Sequence, residues 1–205
     1  MKLSILAVAL GVIVGLPQVY GLLKPSAFAA AARKFPRSQA WGVILMALGT
    51  VWFLWNLSNE SISDFAAYKN VMLLGFGAVG VLTCVFVRDF LAVRGLAIVL
   101  LLVAKLMLDT ARWYDSEWRL VISTWAYVWI ITGMWFTISP WRLRDLIQWS
   151  TASESRVRMT SALRLALGVL VVVLGLTVFR AADVQAQSPE SGRDAPNSAY
   201  STFPR

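Results

Sequence analysis

The feature that most constrains this chain is a series of six apolar runs, each about as long as a helix that crosses a bilayer. A segment in hydrocarbon must pair its own backbone amides, so such runs are expected to form helices. The sequence therefore predicts an all-α, polytopic integral membrane protein with residues 1–180 in one bundle and residues 181–205 as a disordered polar tail. The predicted spans cover about residues 3–23, 41–57, 68–87, 91–110, 119–138 and 162–179.

Composition supports lipid as the solvent for this chain. Hydrophobic residues make up 58% of the sequence and charged residues only 15%. The net charge of +8 needs no nucleic-acid partner, because the basic residues lie in short loops between apolar runs. The chain has no histidine and one cysteine, Cys84, so the commonest metal and haem ligands are missing. We expect no metal and no nucleic acid, and we predict no cofactor beyond a possible bound lipid, quinone or pigment.

The distribution of Lys and Arg predicts the orientation of the spans. Three of the connecting segments hold eleven basic residues, whereas the two alternate loops hold only Lys69, Arg112 and Arg119. Cytoplasmic loops carry the excess of Lys and Arg, so both termini are expected outside, in what we take to be a bacterial cytoplasmic (inner) membrane. The eleven are Lys24, Arg33, Lys34, Arg37, Arg88, Arg94, Arg142, Arg144, Arg156, Arg158 and Arg164.

The fourth span carries charge inside its apolar run. Lys105, Asp109 and Arg112 are spaced i, i+4 and i+7, which places them on one face of a helix. In one interpretation Lys105 extends toward the interface and pairs with Asp109 to hold the helix in its bundle. In the other, the charged pair relays protons or ions.

Small residues recur along two spans. Ala7, Gly11 and Gly15 are spaced by four residues in the first span, and Gly75 and Gly80 lie in the third. Such small-residue faces let two membrane helices approach closely, so we predict that both faces pack against other helices.

The fifth span is rich in tryptophan. Trp118, Trp125, Trp129 and Phe136 lie at offsets of 0, 7, 11 and 18, close to one line along a helix. One interpretation is a platform for a flat lipid-soluble ligand such as a quinone, a carotenoid or a sterol. The other is bulky packing against the glycine faces of the first and third spans.

Two basic segments are expected on the membrane surface: Lys24–Ala40, and the stretch from Ser139 to Trp149, whose tryptophans and arginines suit the headgroup layer. The Pro17–Gln18 pair of the first span, followed by basic residues and Trp41–Gly42, resembles the PQ-loop transporters in these residues alone.

Motifs of hydrolases, zinc enzymes and nucleotide-binding enzymes are missing from the sequence, which argues against an enzyme. The leading hypothesis is a non-catalytic structural or accessory subunit that packs against lipids and a partner membrane protein, or against copies of itself. The first alternative is a small ion- or proton-coupled transporter that uses Lys105 and Asp109. The second is a quinone- or pigment-binding subunit that uses Trp118, Trp125 and Trp129.

Overall fold

The computed structural model describes residues 3–60, 66–87, 89–112 and 118–181, and within them every regular element is helical. The predicted tail falls outside these residues except for Ala181. Short 3₁₀ turns at Phe35–Arg37 and Ala66–Tyr68 precede α3 and α4, and α8 continues as a π-helical turn over Gly175–Phe179. The α-helices are α1 (Leu3–Leu23), α2 (Pro25–Lys34), α3 (Gln39–Asn59), α4 (Lys69–Phe86), α5 (Leu91–Arg112), α6 (Arg119–Ile138), α7 (Trp141–Ser150) and α8 (Glu154–Leu174).

Six of these helices are long and apolar enough to cross a membrane, as the sequence predicts: α1, α3, α4, α5, α6 and α8. The predicted bounds are close for the first five. The last helix begins at Glu154 rather than at residue 162, because the Ser153 hydroxyl accepts a hydrogen bond from the Arg156 amide at 3.3 Å and caps a polar first turn. Hydropathy marks only the apolar part of such a helix.

The spans are arranged around α5, which packs against α3 on one side and α6 on the other. Helix α1 pairs with α8 along its length, and α4 packs on α3. Successive spans alternate in direction. The start of α1 therefore shares one end of the bundle with the last residues of α3 and α5, and the last residue of α1 lies at the opposite end. We call these the Leu3 end and the Leu23 end.

Each end of the bundle has its own apolar core. At the Leu3 end, α1, α5, α6 and α8 bury a cluster that includes Leu6, Met107, Ile122 and Phe179. At the Leu23 end, α5, α6 and α7 bury a second cluster: Val93, Ala97, Phe136 and Leu143. The core thus joins α1, α5, α6, α7 and α8, and neither cluster includes a residue of α4.

The two short helices α2 and α7 lie at the Leu23 end and contact each other. Arg33 of α2 donates a hydrogen bond from Nε to Thr151 Oγ1 at 2.9 Å and another from Nη2 to the Thr151 carbonyl oxygen. This link ties α2 to the turn between α7 and α8. The Arg142 guanidinium lies 5.9 Å from the centroid of the Trp135 ring, a contact that suits the boundary of a membrane.

Candidate functional site

A cluster of three charged side chains joins α3 to α5. Lys105 Nζ lies 2.8 Å from Asp109 Oδ2, one turn along the same helix, and 3.3 Å from Glu60 Oε1. Glu60 follows the last residue of α3, so the second contact bridges two spans. The lysine therefore pairs with two carboxylates, one on α5 and one just after α3.

The cluster lies toward the Leu3 end rather than halfway along the spans. With a rise of about 1.5 Å per residue, Lys105 is about 21 Å from the start of α5 at Leu91 and about 10 Å from its last residue, Arg112. The Lys105 side chain is 45% exposed in the isolated chain. The position of Lys105 along the bundle matches the end of α3, where the polypeptide leaves the apolar span.

A second lysine contacts the backbone at the end of α3. Lys69 Nζ, at the start of α4, donates hydrogen bonds to the backbone carbonyl oxygens of Ser58 and Glu60, the latter at 3.1 Å. Lys69 thereby fastens α4 to the end of α3. Its contacts are to carbonyl oxygens, so Lys105 alone pairs with the Glu60 and Asp109 carboxylates in the described residues.

Sequence reasoning placed Arg112 in the same group, and the structure does not bring it there. Arg112 is the exposed last residue of α5, and no ion pair joins it to Asp109 in the described ranges. Glu60 was missed as a partner because it lies 45 residues from Lys105 along the chain. One available signal was its position at the end of the second predicted span, where it shares a membrane level with Lys105.

An apolar cavity of 480 Å³ opens beside the cluster, between α3, α4 and α5. Asn56, Glu60 and Lys105 are its polar lining residues near the Leu3 end, and Thr50 adds a hydroxyl deeper in. The remaining walls are aliphatic and aromatic, so the cavity suits a hydrocarbon chain better than hydrated ions. They are formed by Met46, Phe53, Leu57, Phe76, Val79, Gly80, Ile98, Leu101 and Leu102.

The tryptophan-rich face of α6 is divided between the two ends of the bundle. Trp125 and Trp129 pack partly buried against the core of the Leu3 end, with ring centroids 5.2 Å apart and planes at 75°. Phe136, only 4% exposed, belongs to the core of the Leu23 end, whereas Trp118 is 51% exposed. A separate cavity of 420 Å³ lies beside Trp125, between α6 and α8.

The predicted small-residue faces have different surroundings. Ala7 and Gly11 are buried against α8, and Gly15 faces it with more room. Gly80 lies against Thr50 of α3, since a Cβ placed there would be 2.5 Å from two of its side-chain atoms. A Cβ at Gly75 would meet nothing within 4 Å in the described part of the protein.

In the parts of the chain that the structure describes, no three side chains of His, Cys, Asp or Glu are grouped to hold a metal ion. Comparisons with protein-family models, curated proteins and solved structures give no match. Fold and site therefore define the protein by class, as a multi-span helical membrane protein with a cluster of one lysine and two carboxylates near one end of its bundle.

Proposed function

We propose that this protein is a non-catalytic structural or accessory subunit that associates through α4 with another membrane protein or with a second copy of itself. The observation that carries this proposal is the exposure of α4. Of its 18 residues only Gly80 is buried, whereas nine residues of α5 are buried. A span that the chain leaves so uncovered is available to a partner.

The uncovered side of α4 has the composition of a helix-packing surface. Gly75, Ala78 and Leu82 lie opposite Gly80 on the helix, at a rotation of about 100° per residue. All three are exposed, and among the described residues Gly75 has no neighbour within 4 Å of a built Cβ. We call Gly75, Ala78 and Leu82 the open face of α4. Small residues on such a face allow a second helix to approach the backbone closely.

The charged cluster supports a scaffolding role rather than transport. Lys105 pairs with both Glu60 and Asp109 and so connects α3 to α5 near one membrane boundary. A relay needs groups that continue across the bilayer, whereas this cluster adjoins an apolar cavity. The cluster thus stabilises α3, the helix against which α4 packs.

The proposal places the protein in a bacterial cytoplasmic membrane with both termini outside. The Leu23 end, which carries the basic segments around α2 and α7, then faces the cytoplasm. The Leu3 end, with the Glu60, Lys105 and Asp109 cluster, faces outward.

The test compares two glycine substitutions in α4. Gly75→Leu places a side chain on the open face, where nothing in the described part of the chain obstructs it, so the free energy of unfolding of the purified monomer should stay within about 1 kcal/mol of the parent. Association should weaken at least tenfold, measured by single-molecule photobleaching of labelled copies and by co-purification from the native membrane. Gly80→Leu, which clashes with Thr50, is the control that should lower monomer stability instead.

Full association of a stable Gly75→Leu protein would contradict the proposal. So would a parent protein that is monomeric and free of co-purifying protein after mild extraction. In either case the open face of α4 would be a lipid-facing surface.

A further inference from the structure

A third cavity, whose lining includes no residue of α4, lies at the Leu23 end and has a volume of 750 Å³. Its walls come from α2 and α7, from the ends of α1 and α3, and from α5 and α8. Phe28, Phe35, Trp41, Leu96 and Ile147 supply apolar surface. A cavity of this size is in the range that binds one organic ligand of several hundred daltons.

Two cations lie on the lining of this cavity, and no lining residue is acidic. Lys34 comes from the end of α2 and Arg164 from α8. Neither forms an ion pair within the described ranges, and the nearby Asp145 is paired with Arg144 at 3.0 Å. The cavity therefore presents uncompensated positive charge beside an apolar wall.

Most hydroxyls around the cavity already donate to helix carbonyls. Thr151 Oγ1 donates to the Ile147 carbonyl oxygen at 2.7 Å, and Thr160 Oγ1 donates to that of Arg156 at 2.8 Å. The cations left to bind an anion are Lys34 and Arg164, and the Ser38 hydroxyl, which accepts from the Trp41 amide, can still donate. The Arg33 link to Thr151 joins α2 to the turn after α7, two of the elements that line the cavity.

From these observations we infer that the cavity binds an anionic phospholipid, with its phosphate between Lys34 and Arg164 and an acyl chain along the aromatic and aliphatic wall. The cavity lies where α1 ends and α3 begins, which is the level at which a phospholipid headgroup meets hydrocarbon. Positive charge at that level attracts acidic headgroups, and the apolar wall selects a lipid over free phosphate. The site is independent of the open face of α4.

The experiment measures binding of dioleoyl phosphatidylglycerol to the purified full-length protein by native mass spectrometry, with dioleoyl phosphatidylcholine and inorganic phosphate as comparison ligands. The parent should bind phosphatidylglycerol at least tenfold more tightly than phosphatidylcholine and show no saturable phosphate binding. The double variant Lys34→Gln with Arg164→Gln should lose at least tenfold in affinity for phosphatidylglycerol. The matched control is Arg37→Gln with Arg158→Gln, which removes the same charge from exposed positions outside the cavity.

A third variant tests the cavity without removing charge. Ala31→Phe on α2 fills the space and keeps both cations, so phosphatidylglycerol affinity should again fall at least tenfold in a protein with parental helix content. Equal losses in the cavity and control doubles would overturn the inference, because surface charge would then explain binding. Unchanged binding by Ala31→Phe would also overturn it, as would phosphate that displaces phosphatidylglycerol at equal affinity.

Discussion

Gly11 of α1 and Gly168 of α8 bring the backbones of these two helices into contact. A Cβ added at Gly11 would lie 2.5 Å from the Gly168 carbonyl oxygen, and one added at Gly168 would lie 2.8 Å from that of Gly11. A backbone oxygen inside a helix cannot rotate away as a side chain can. The first and last spans are therefore joined at a crossing that only glycine permits on both sides.

Gly11→Ala should consequently lower the free energy of unfolding by about 1–3 kcal/mol through overpacking. The matched control is Gly15→Ala, one turn further along α1, where a Cβ would meet its nearest neighbour at an ordinary 3.6 Å. Thermal unfolding of both proteins in the same detergent measures the difference. Equal melting temperatures for Gly11→Ala and the parent would contradict the close crossing.

The charged cluster predicts an order of stability among its variants. Lys105→Met leaves Glu60 and Asp109 without their shared cation and should destabilise by about 0.5–1 kcal/mol, since both pairs are partly exposed. The triple variant Lys105→Met, Asp109→Leu, Glu60→Gln leaves no charge stranded and should return close to parental stability. The melting temperatures of the parent, the single variant and the triple variant in one detergent test this order.

Proton flux into proteoliposomes is measured on the same proteins. Parent and triple variant should both match protein-free liposomes. Flux in the parent that disappears in a stable triple variant would favour a relay over a structural cluster.

Removing the Ser161 hydroxyl should not destabilise the protein, although the group is buried and polar. Its hydroxyl oxygen is buried against Gly21 at the interface of α1 and α8 and has no hydrogen-bond partner among the residues that the structure describes. Because an unpartnered buried polar atom is costly, Ser161→Ala should leave the free energy of unfolding unchanged or raise it by up to about 1 kcal/mol. Thr151→Val, which removes an acceptor of Arg33, is the control that should lower it. A large loss of thermal stability in Ser161→Ala would show that the hydroxyl has a partner.

The orientation is tested with reporter fusions. A reporter that works only in the cytoplasm should be active after Arg37 or Glu154 and inactive after Asp64 or Glu117. The reason is the excess of Lys and Arg in the loops that contain the first two positions. Activity after Asp64 or Glu117 would reverse the topology.

Membrane-length helices were predictable because hydropathy is a local property of the sequence, and six such helices are confirmed. Which helices pack against one another was not predictable. The spacing of Ala7, Gly11 and Gly15 indicates a face that can pack closely, but nothing local says that Gly168 and Gly175 of α8 supply the other side.

The charged cluster was also predictable only in its local part. The i, i+4 spacing of Lys105 and Asp109 was visible, whereas the contact with Glu60 depends on the packing of α3 against α5. The cavity at the Leu23 end arises from several separate elements, so its shape has no signal in any one of them. Polar helix starts such as Glu154 were missed because capping extends a helix beyond its apolar run.

The most direct test of association through α4 is site-specific photo-cross-linking in intact membranes. A photoreactive leucine analogue is placed at Leu74 on α4 or at Leu163 on α8, which are 76% and 72% exposed in the isolated chain. Their near-equal exposure makes Leu163 a matched control. The account predicts a discrete protein adduct from Leu74, either a dimer of this chain or one partner, and lipid adducts alone from Leu163. Lipid adducts alone from both positions would contradict it.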